Sequence, residues 1–329
     1  MTTRPQTIDA SASPVTLDTI RAAHERIKSR IHRTPVLTSA TLDEIAGAKL
    51  FFKCENLQKT GSFKIRGATN AVLSLNDDEA RHGVAAPSSG NHAAAVSRAA
   101  RERGIPAYIV MPSNSSPAKI RAVESYGGKI TYSEPNVPSR EAVTAEVMRE
   151  TNAHLIHPYN DPRVMAGQGT AALELLEEVP DLDIVITPVS GGGLLSGTAI
   201  AVKSISPRTR VFGGEPQNAD DASRSFAAGK IEPAATGPQT IADGLRATLC
   251  PLTFQAISTY VDGISLVTEE EIISTMLLLW ERAKIVVEPS GAVAAAPALT
   301  RKLNAAGLKI GIILSGGNLD LKNLPFAQK

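Results

Sequence analysis

The chain has 329 residues, 43% hydrophobic and 20% charged, and its 34 Lys and Arg against 33 Asp and Glu give a net charge of +1. These figures fit a globular chain of about two domains with a large core, and they lack the basic footprint of a nucleic-acid binder. No apolar run reaches the ~20 residues of a membrane span, and the two cysteines, Cys54 and Cys250, lack metal-ligand or disulfide-framework spacing.

The first fourteen residues, rich in Thr, Ser, Ala and Pro without a secretory apolar run, read as a disordered tail, and a cytoplasmic location follows as the expectation. The pattern then predicts a helix over Ala22 to Arg30, a strand over Lys49 to Glu55 and a helix beginning near Ser62. From Val84 short β-branched runs alternate with helical segments. They are a strand at Val84 to Pro87, a helix from Asn91 to Arg103 closed by Gly104, and an apolar strand from Ala107 to Met111. A helix after Pro117 stops at Gly127 and Gly128, a strand follows over Lys129 to Tyr132, and another helix starts near Ser139. The rhythm returns with a helix over Val164 to Glu178, a strand from Ile184 to Val189, a helix after Gly193, and strands at Arg210 to Gly213 and Lys309 to Leu314. Thr268 to Glu271 forms a capping box for a helix running to about Ala283. Such alternation predicts an α/β protein with parallel sheets flanked by helices. The middle unit reads as a small domain over 77–159, inserted between the two parts of a large one, 1–76 and 160–329.

Parallel sheets place ligands outside the carboxyl ends of their strands, and three glycine or serine clusters fall there. They are Ser88-Ser89-Gly90-Asn91-His92, Ser190-Gly191-Gly192-Gly193-Leu194 and Ser315-Gly316-Gly317-Asn318. Taken singly, each is more often an ordinary tight turn; together they point to an anion site built from backbone N–H groups. The three consecutive glycines 191–193 open a helix and form the candidate phosphate cradle, matching neither a dinucleotide fingerprint nor a P-loop. In Lys59-Thr60-Gly61-Ser62-Phe63-Lys64, Ser62 can cap a helix and Lys64 falls in its first turn, where a cation opposes the helix dipole. A lysine of depressed pKa can bond covalently to an aldehyde cofactor, although a solvated surface lysine is the plainer alternative.

Ser62-Phe63-Lys64-Ile65-Arg66-Gly67-Ala68, Ser88-Ser89-Gly90-Asn91-His92-Ala93 and Ser315-Gly316-Gly317-Asn318 together resemble the fold type II pyridoxal-phosphate (PLP) enzymes of the serine/threonine dehydratase and serine racemase family. The resemblance runs from about Val15 to Leu321 and includes Phe51 to Glu55, Ala166 to Thr170 and Ile241 to Gly244; its nearest members are serine racemase and 3-hydroxyaspartate dehydratase. It implies the tryptophan-synthase-β-like two-domain fold and PLP linked to Lys64. Phe63 then lies against the ring, Asn91 bonds its hydroxyl, Gly191, Gly192, Gly193 and Leu194 hold the phosphate, and Ser315 faces the pyridine nitrogen. Ser88, Ser89, Gly90, Asn91 and His92 are implied to bind the substrate carboxylate, with Lys64 as base on one face and Ser89 able to protonate the other.

Glu215, Ala219 and Asp221 resemble the family's divalent-cation site, with oxygen ligands suited to magnesium, calcium or manganese; without the family they read as a solvated helix N-terminus. Arg140 aligns with an arginine that faces a distal carboxylate, which brings in 3-hydroxyaspartate beside serine and threonine; an exposed first-turn arginine is the alternative. The expected activity is dehydration of a β-hydroxy amino acid to a 2-oxo acid and ammonia by a homodimer acting on a small-molecule amino acid, with neither nucleic acid nor membrane as partner. Serine or aspartate racemisation is the alternative, and a non-catalytic PLP or nucleotide-binding protein the remaining one. Ser190, Ala94 and Ala247 depart from the family pattern, and Lys59, Thr60 and Lys284 match its nucleotide-activation residues only in part. His92, His154 and His157 read as structural or polar-surface histidines.

Overall fold

The structure, a computed structural model, describes residues 13–88, 90–234 and 240–326. Most of the tail expected over residues 1–14, and Ser89, lie outside the described residues. The chain opens with α1 (Leu17–Ile27), β1 (Val36–Leu37), α2 (Ala40–Ala46), β2 (Lys49–Cys54), α3 (Lys64–Ser74) and α4 (Asp77–Ala80). Next come β3 (Val84–Pro87), α5 (Asn91–Arg103), β4 (Ala107–Pro112), α6 (Pro117–Ser125), β5 (Gly128–Ser133), α7 (Val137–Thr151) and β6 (His154–Leu155). The remainder comprises α8 (Pro162–Glu178), β7 (Ile184–Pro188), α9 (Gly193–Ile205), β8 (Arg210–Pro216), α10 (Asp221–Ala228), α11 (Pro251–Tyr260), β9 (Gly263–Val267), α12 (Glu269–Leu278), α13 (Pro289–Ala292), α14 (Ala296–Leu299) and β10 (Lys309–Leu314).

Two sheets result. One has strand order β1-β2-β10-β7-β8-β9, parallel except for the β1–β2 pair, and the other is a wholly parallel β5-β4-β3-β6. Helices cover both faces of the larger sheet, so β7 is buried at every position and reads as a continuous apolar run. One core cluster joins Leu50, Phe52 and Ile312 to Ile272 and Met276 of α12. A second fills the other face with Leu175, Leu195, Ile200 and Phe226.

Helices α3 and α8 cross at two glycines, where a Cβ on Gly167 would lie 2.6 Å from the Gly67 Cα. That approach brings Arg66 between two glutamates. Its Nε donates to Glu55 Oε2 at 2.7 Å and its Nη2 to Glu55 Oε1 at 2.8 Å. Nη1 and Nη2 reach Glu174 Oε1 and Oε2, both at 2.8 Å, and Nη1 also reaches Thr170 Oγ1 at 3.2 Å. Lys53 Nζ completes the buried cluster at 2.7 Å from Glu174 Oε2.

The elements differ from expectation mainly at their ends. Helix α1 begins at Leu17 rather than Ala22, because Thr16 and Thr19 form a reciprocal capping box with Thr where Glu or Gln is the usual signature. Strand β8 runs on to Pro216, and β1, β6 and β9 emerge only through pairing with their neighbours.

Candidate active site

The segment before α3 is stitched to the turn after β10. Ser62 pairs with Gly316 in an isolated antiparallel bridge, Phe63 N–H donates to Ser315 O at 3.0 Å, and Gly317 N–H donates to Gly61 O at 2.9 Å. This pairing overrides the expected cap. Ser62 is extended, its buried Oγ has no hydrogen-bond partner among the described residues, and Phe63 occupies the N-cap without a side-chain bond. Lys64 is therefore the first residue of α3, half-buried, with Nζ 5.1 Å from the Phe63 ring centroid. Nζ donates to Pro158 O at 3.2 Å, and burial lowers its pKa to about 8.

Pro158 also links the amine to the glycine cradle, since its carbonyl oxygen lies 3.8 Å from where a Gly193 Cβ would stand. The Tyr159 ring fills the space that a Gly191 side chain would need. Gly192, at φ +88°, is the N-cap of α9, and a Cβ there would approach Thr253 Cβ to 2.7 Å. The first N–H groups of this 13-residue helix have no intrahelical acceptors, and no side chain among the described residues caps them. Bare backbone, a positive helix end and a nearby amine suit a phosphate-bearing aldehyde. Ser190, in place of a fourth glycine, brackets Ala247 by accepting from its N–H at 3.0 Å and donating to its carbonyl at 3.2 Å.

The turn after β3 is held by Ser88 N–H donating to Val110 O at 3.0 Å, while Gly90 N–H donates to Ser88 Oγ at 3.3 Å and leads into α5. Asn91 Nδ2 donates to Glu288 Oε1 at 2.7 Å, and its Oδ1 accepts from Asn318 Nδ2 at 2.8 Å. Burial, reinforced by the Asp243 charge, pushes the Glu288 carboxyl up to about 8 against the Asn91 hydrogen bond and Lys119. Ser315 Oγ, buried, donates to Ser290 O at 3.4 Å.

His92 departs from the surface alternative, for it is 2% exposed. His157 Nδ1 accepts from the N–H groups of Tyr159 (3.3 Å) and Asn160 (2.9 Å), and His154 Nε2 lies 2.9 Å from Arg163 Nη2. Arg140 sits half-buried in the first turns of α7 with no ion-pair partner among the described residues. Its charge acts on His157, which burial and Lys64 first lower to about 4, and on Tyr159, raised chiefly by burial. Arg140 and Lys64 therefore bear on the same histidine from different elements.

Glu215 stands at the end of β8 and Asp221 opens α10. Glu215 accepts from Ala222 and Ser223 N–H, each at 2.8 Å, while Asp221 Oδ2 is buried without a hydrogen-bond partner among the described residues and Ala219 is buried too. Burial raises Glu215 well above its ordinary value and Asp221 to about 6. Among the described residues no three His, Cys, Asp or Glu side chains gather as a metal centre. Lys59 and Lys284 are engaged with the carbonyls of Arg30 and Glu281, both at 2.6 Å.

Three contributors went unread in the sequence: Pro158, Tyr159 and Glu288. Only Glu288 carried a signal, as the single acid closing the apolar run Ile285-Val286-Val287 before a proline. The ion pair between Lys119 of α6 and Asp243 likewise forms across segments far apart in the chain.

Scaffold and site define an α/β enzyme that sets a half-buried lysine beside the glycine-opened end of a helix. The pyridoxal-phosphate dependent enzyme family matches residues 27–316, and the chain belongs to that family, with the fold type II arrangement of its relatives. It is 50% identical over 311 residues to a β-hydroxyaspartate dehydratase of Paracoccus denitrificans, covering 94% of this chain and 98% of the relative. It is 52% identical over 312 residues to a serine racemase of Arabidopsis thaliana, covering 93% of each. The solved maize serine racemase superposes with a TM-score of 0.92 at 48% identity, over 94% of this chain and 95% of that one.

Proposed function

We propose that this chain is a PLP-dependent dehydratase of β-hydroxy amino acids, with 3-hydroxyaspartate, serine and threonine as the substrate class, releasing a 2-oxo acid and ammonia. The observation that carries the reading is the half-buried Lys64 amine on Pro158 O, adjoining the uncapped glycine end of α9. PLP supplies an electron sink for the pair left when the substrate α-proton departs. The chain's own residues do the rest. Gly191, Gly192, Gly193 and Leu194 bind phosphate through backbone N–H groups, and Phe63 flanks the cofactor ring. One Asn91 amide hydrogen is committed to Glu288, leaving the second for the ring oxygen. Ser315 would turn its hydroxyl from Ser290 O toward the ring nitrogen, and a neutral hydroxyl donating there does not demand a protonated ring as a carboxylate would. Lys64, brought toward neutrality by burial, takes the α-proton. The N-terminus of α5, with Ser88, Ser89, Gly90, Asn91 and the backbone N–H of His92, receives the substrate carboxylate, and Arg140, free of any carboxylate partner among the described residues, takes a distal one.

Purified protein carries a visible absorbance band that borohydride abolishes, and Lys64→Ala loses both band and ammonia release; a variant that keeps both refutes the assignment. Racemisation is the second reading, supported by the likeness to serine racemases and starting from the same proton removal. Ser89 is assigned the opposite face in it, and chiral analysis of serine recovered from Ser89→Ala separates the two. Two buried carboxylates, one with an orphaned oxygen, fit a hard divalent cation such as magnesium at Glu215, Ala219 and Asp221. A cytoplasmic homodimer with a small domain over 77–159 completes the proposal, its assembly tested by light scattering.

A further inference from the structure

The amide of Asn91 can face a cofactor in two ways that share one shape and have opposite polarity. One presents an N–H, the other a bare oxygen. Nothing within the Asn91 side chain chooses between them, so the choice belongs to its neighbours. Glu288 does not make it. Burial pushes that carboxyl up to about 8, so at neutral pH it can either accept from an Asn91 N–H or donate to the Asn91 oxygen.

A backbone carbonyl on the opposite side decides. Asn318, in the turn after β10, has one end of its amide 2.6 Å from Thr60 O and 2.8 Å from the Asn91 amide. A carbonyl oxygen only accepts, so the Asn318 atom between them is Nδ2, and its two hydrogens serve Thr60 O and Asn91. The Asn91 atom that meets it is therefore Oδ1. Asn91 Nδ2 then lies on the other side, with one hydrogen on Glu288 Oε1 at 2.7 Å and the second left for the ring. Polarity passes from Thr60 through two amides, and no step depends on whether an acid holds its proton.

The backbone is shaped for this contact. Thr60 stands at φ 62° and Gly61 at φ +73°, left-handed conformations that a β-branched residue rarely adopts. A Cβ on Gly61 would collide with the Asn318 amide, which lies directly on that glycine. Gly317 N–H, donating to Gly61 O at 2.9 Å, ties the two turns together. Asn318 is itself exposed, so what it supplies is direction more than strength.

We propose that Asn318 is a positioning residue, holding the Asn91 amide in the one orientation that turns a hydrogen-bond donor, and not an acceptor, toward the ring oxygen of PLP. The inference rests on the reading of Asn91 as the partner of that oxygen. A donor there favours the oxygen in its charged form, whereas an acceptor favours the form that keeps its proton. No bond is made or broken at either amide.

Asn318→Asp keeps the shape and replaces both N–H groups by acceptors, and Asn318→Ala removes the amide. In holoenzyme each variant should move part of the absorbance from the visible band to the near-ultraviolet band of a ring whose oxygen is protonated, and raise the pH at which the two exchange. The dissociation constant for PLP should rise about two- to tenfold, the size of one hydrogen bond, while the melting temperature of the apoprotein stays close to the wild-type value. In an Asn91→Ala background, Asn318→Asp should change neither band nor affinity further, because it acts through Asn91. Asn318 variants with the wild-type band ratio at every pH overturn the proposal. So does an Asn318→Asp effect of full size without Asn91, for then the new charge acts on the ring directly. Failure of the underlying reading is separate: Asn91→Ala alone, with wild-type band ratio and PLP affinity, shows that Asn91 does not meet the ring and overturns both.

Discussion

Replacing Arg66 by methionine removes a guanidinium whose five N–H groups all have acceptors, four of the bonds going to Glu55 and Glu174 and one to Thr170. Arg66 and Lys53 balance Glu55 and Glu174, so the buried cluster is neutral as it stands. The variant leaves two buried carboxylates sharing one ammonium. Removing one partner of a buried pair costs about 3–5 kcal/mol, because the remaining charge keeps its desolvation penalty. At roughly 2–4 °C per kcal/mol for a chain above 150 residues, the melting temperature should fall by about 6–20 °C. Burial alone would raise the Glu174 pKa, but the hydrogen bonds and charge of Arg66, with Lys53, hold it below its ordinary value. A depressed carboxylate contributes stability that is present at neutral pH and lost as pH falls through its folded value. Without the guanidinium one carboxyl keeps its proton to higher pH, so the gap between the two proteins is widest at neutral pH and narrows on acidification. Urea unfolding followed by circular dichroism, at equal PLP saturation and several pH values, measures that gap. A loss below about 1 kcal/mol at pH 7, or a gap that widens in acid, refutes the reasoning.

Arg140→Ala should lower kcat/KM for 3-hydroxyaspartate by roughly 10–100-fold, the scale of one lost charge-assisted pair, and leave serine nearly unchanged; specificity constants for both substrates check this, and an unchanged ratio defeats it. Chelator should lower the melting temperature and magnesium restore it, with Asp221→Asn blunting the response, as differential scanning fluorimetry can read. In apoprotein, the rate of PLP uptake should rise with pH through about 8, where burial places the Lys64 amine, rather than near the ordinary lysine value of about 10.4. The folded pKa lies below the unfolded one, so between these values the unfolded chain holds a proton that the folded chain has lost. The Lys64 contribution to stability therefore grows as pH rises across that window. An uptake profile that turns only near pH 10 would show that the amine is not desolvated.

Much of the site is local and was legible in the sequence. Gly191 to Gly193 mark the turn from an apolar strand into an apolar helix, where Gly192 can take the positive φ of the N-cap at no steric cost. The alternation of β3, α5, β4, α6, β5 and α7 follows from periodicity within a few residues at each end. Ser62 shows the limit: its type and spacing suited a cap, yet the strand-like pairing with Gly316, more than 250 residues away, took its backbone instead. Which groups meet Lys64 was decided only by the tertiary structure. Pro158 O reaches it from 94 residues along the chain, and Glu288 reaches Asn91 from 197. Backbone propensity and glycine spacing act over one turn or strand and are written in consecutive residues. A carbonyl or a buried carboxyl acquires its partner only when the packing of the two sheets brings distant segments to the same point.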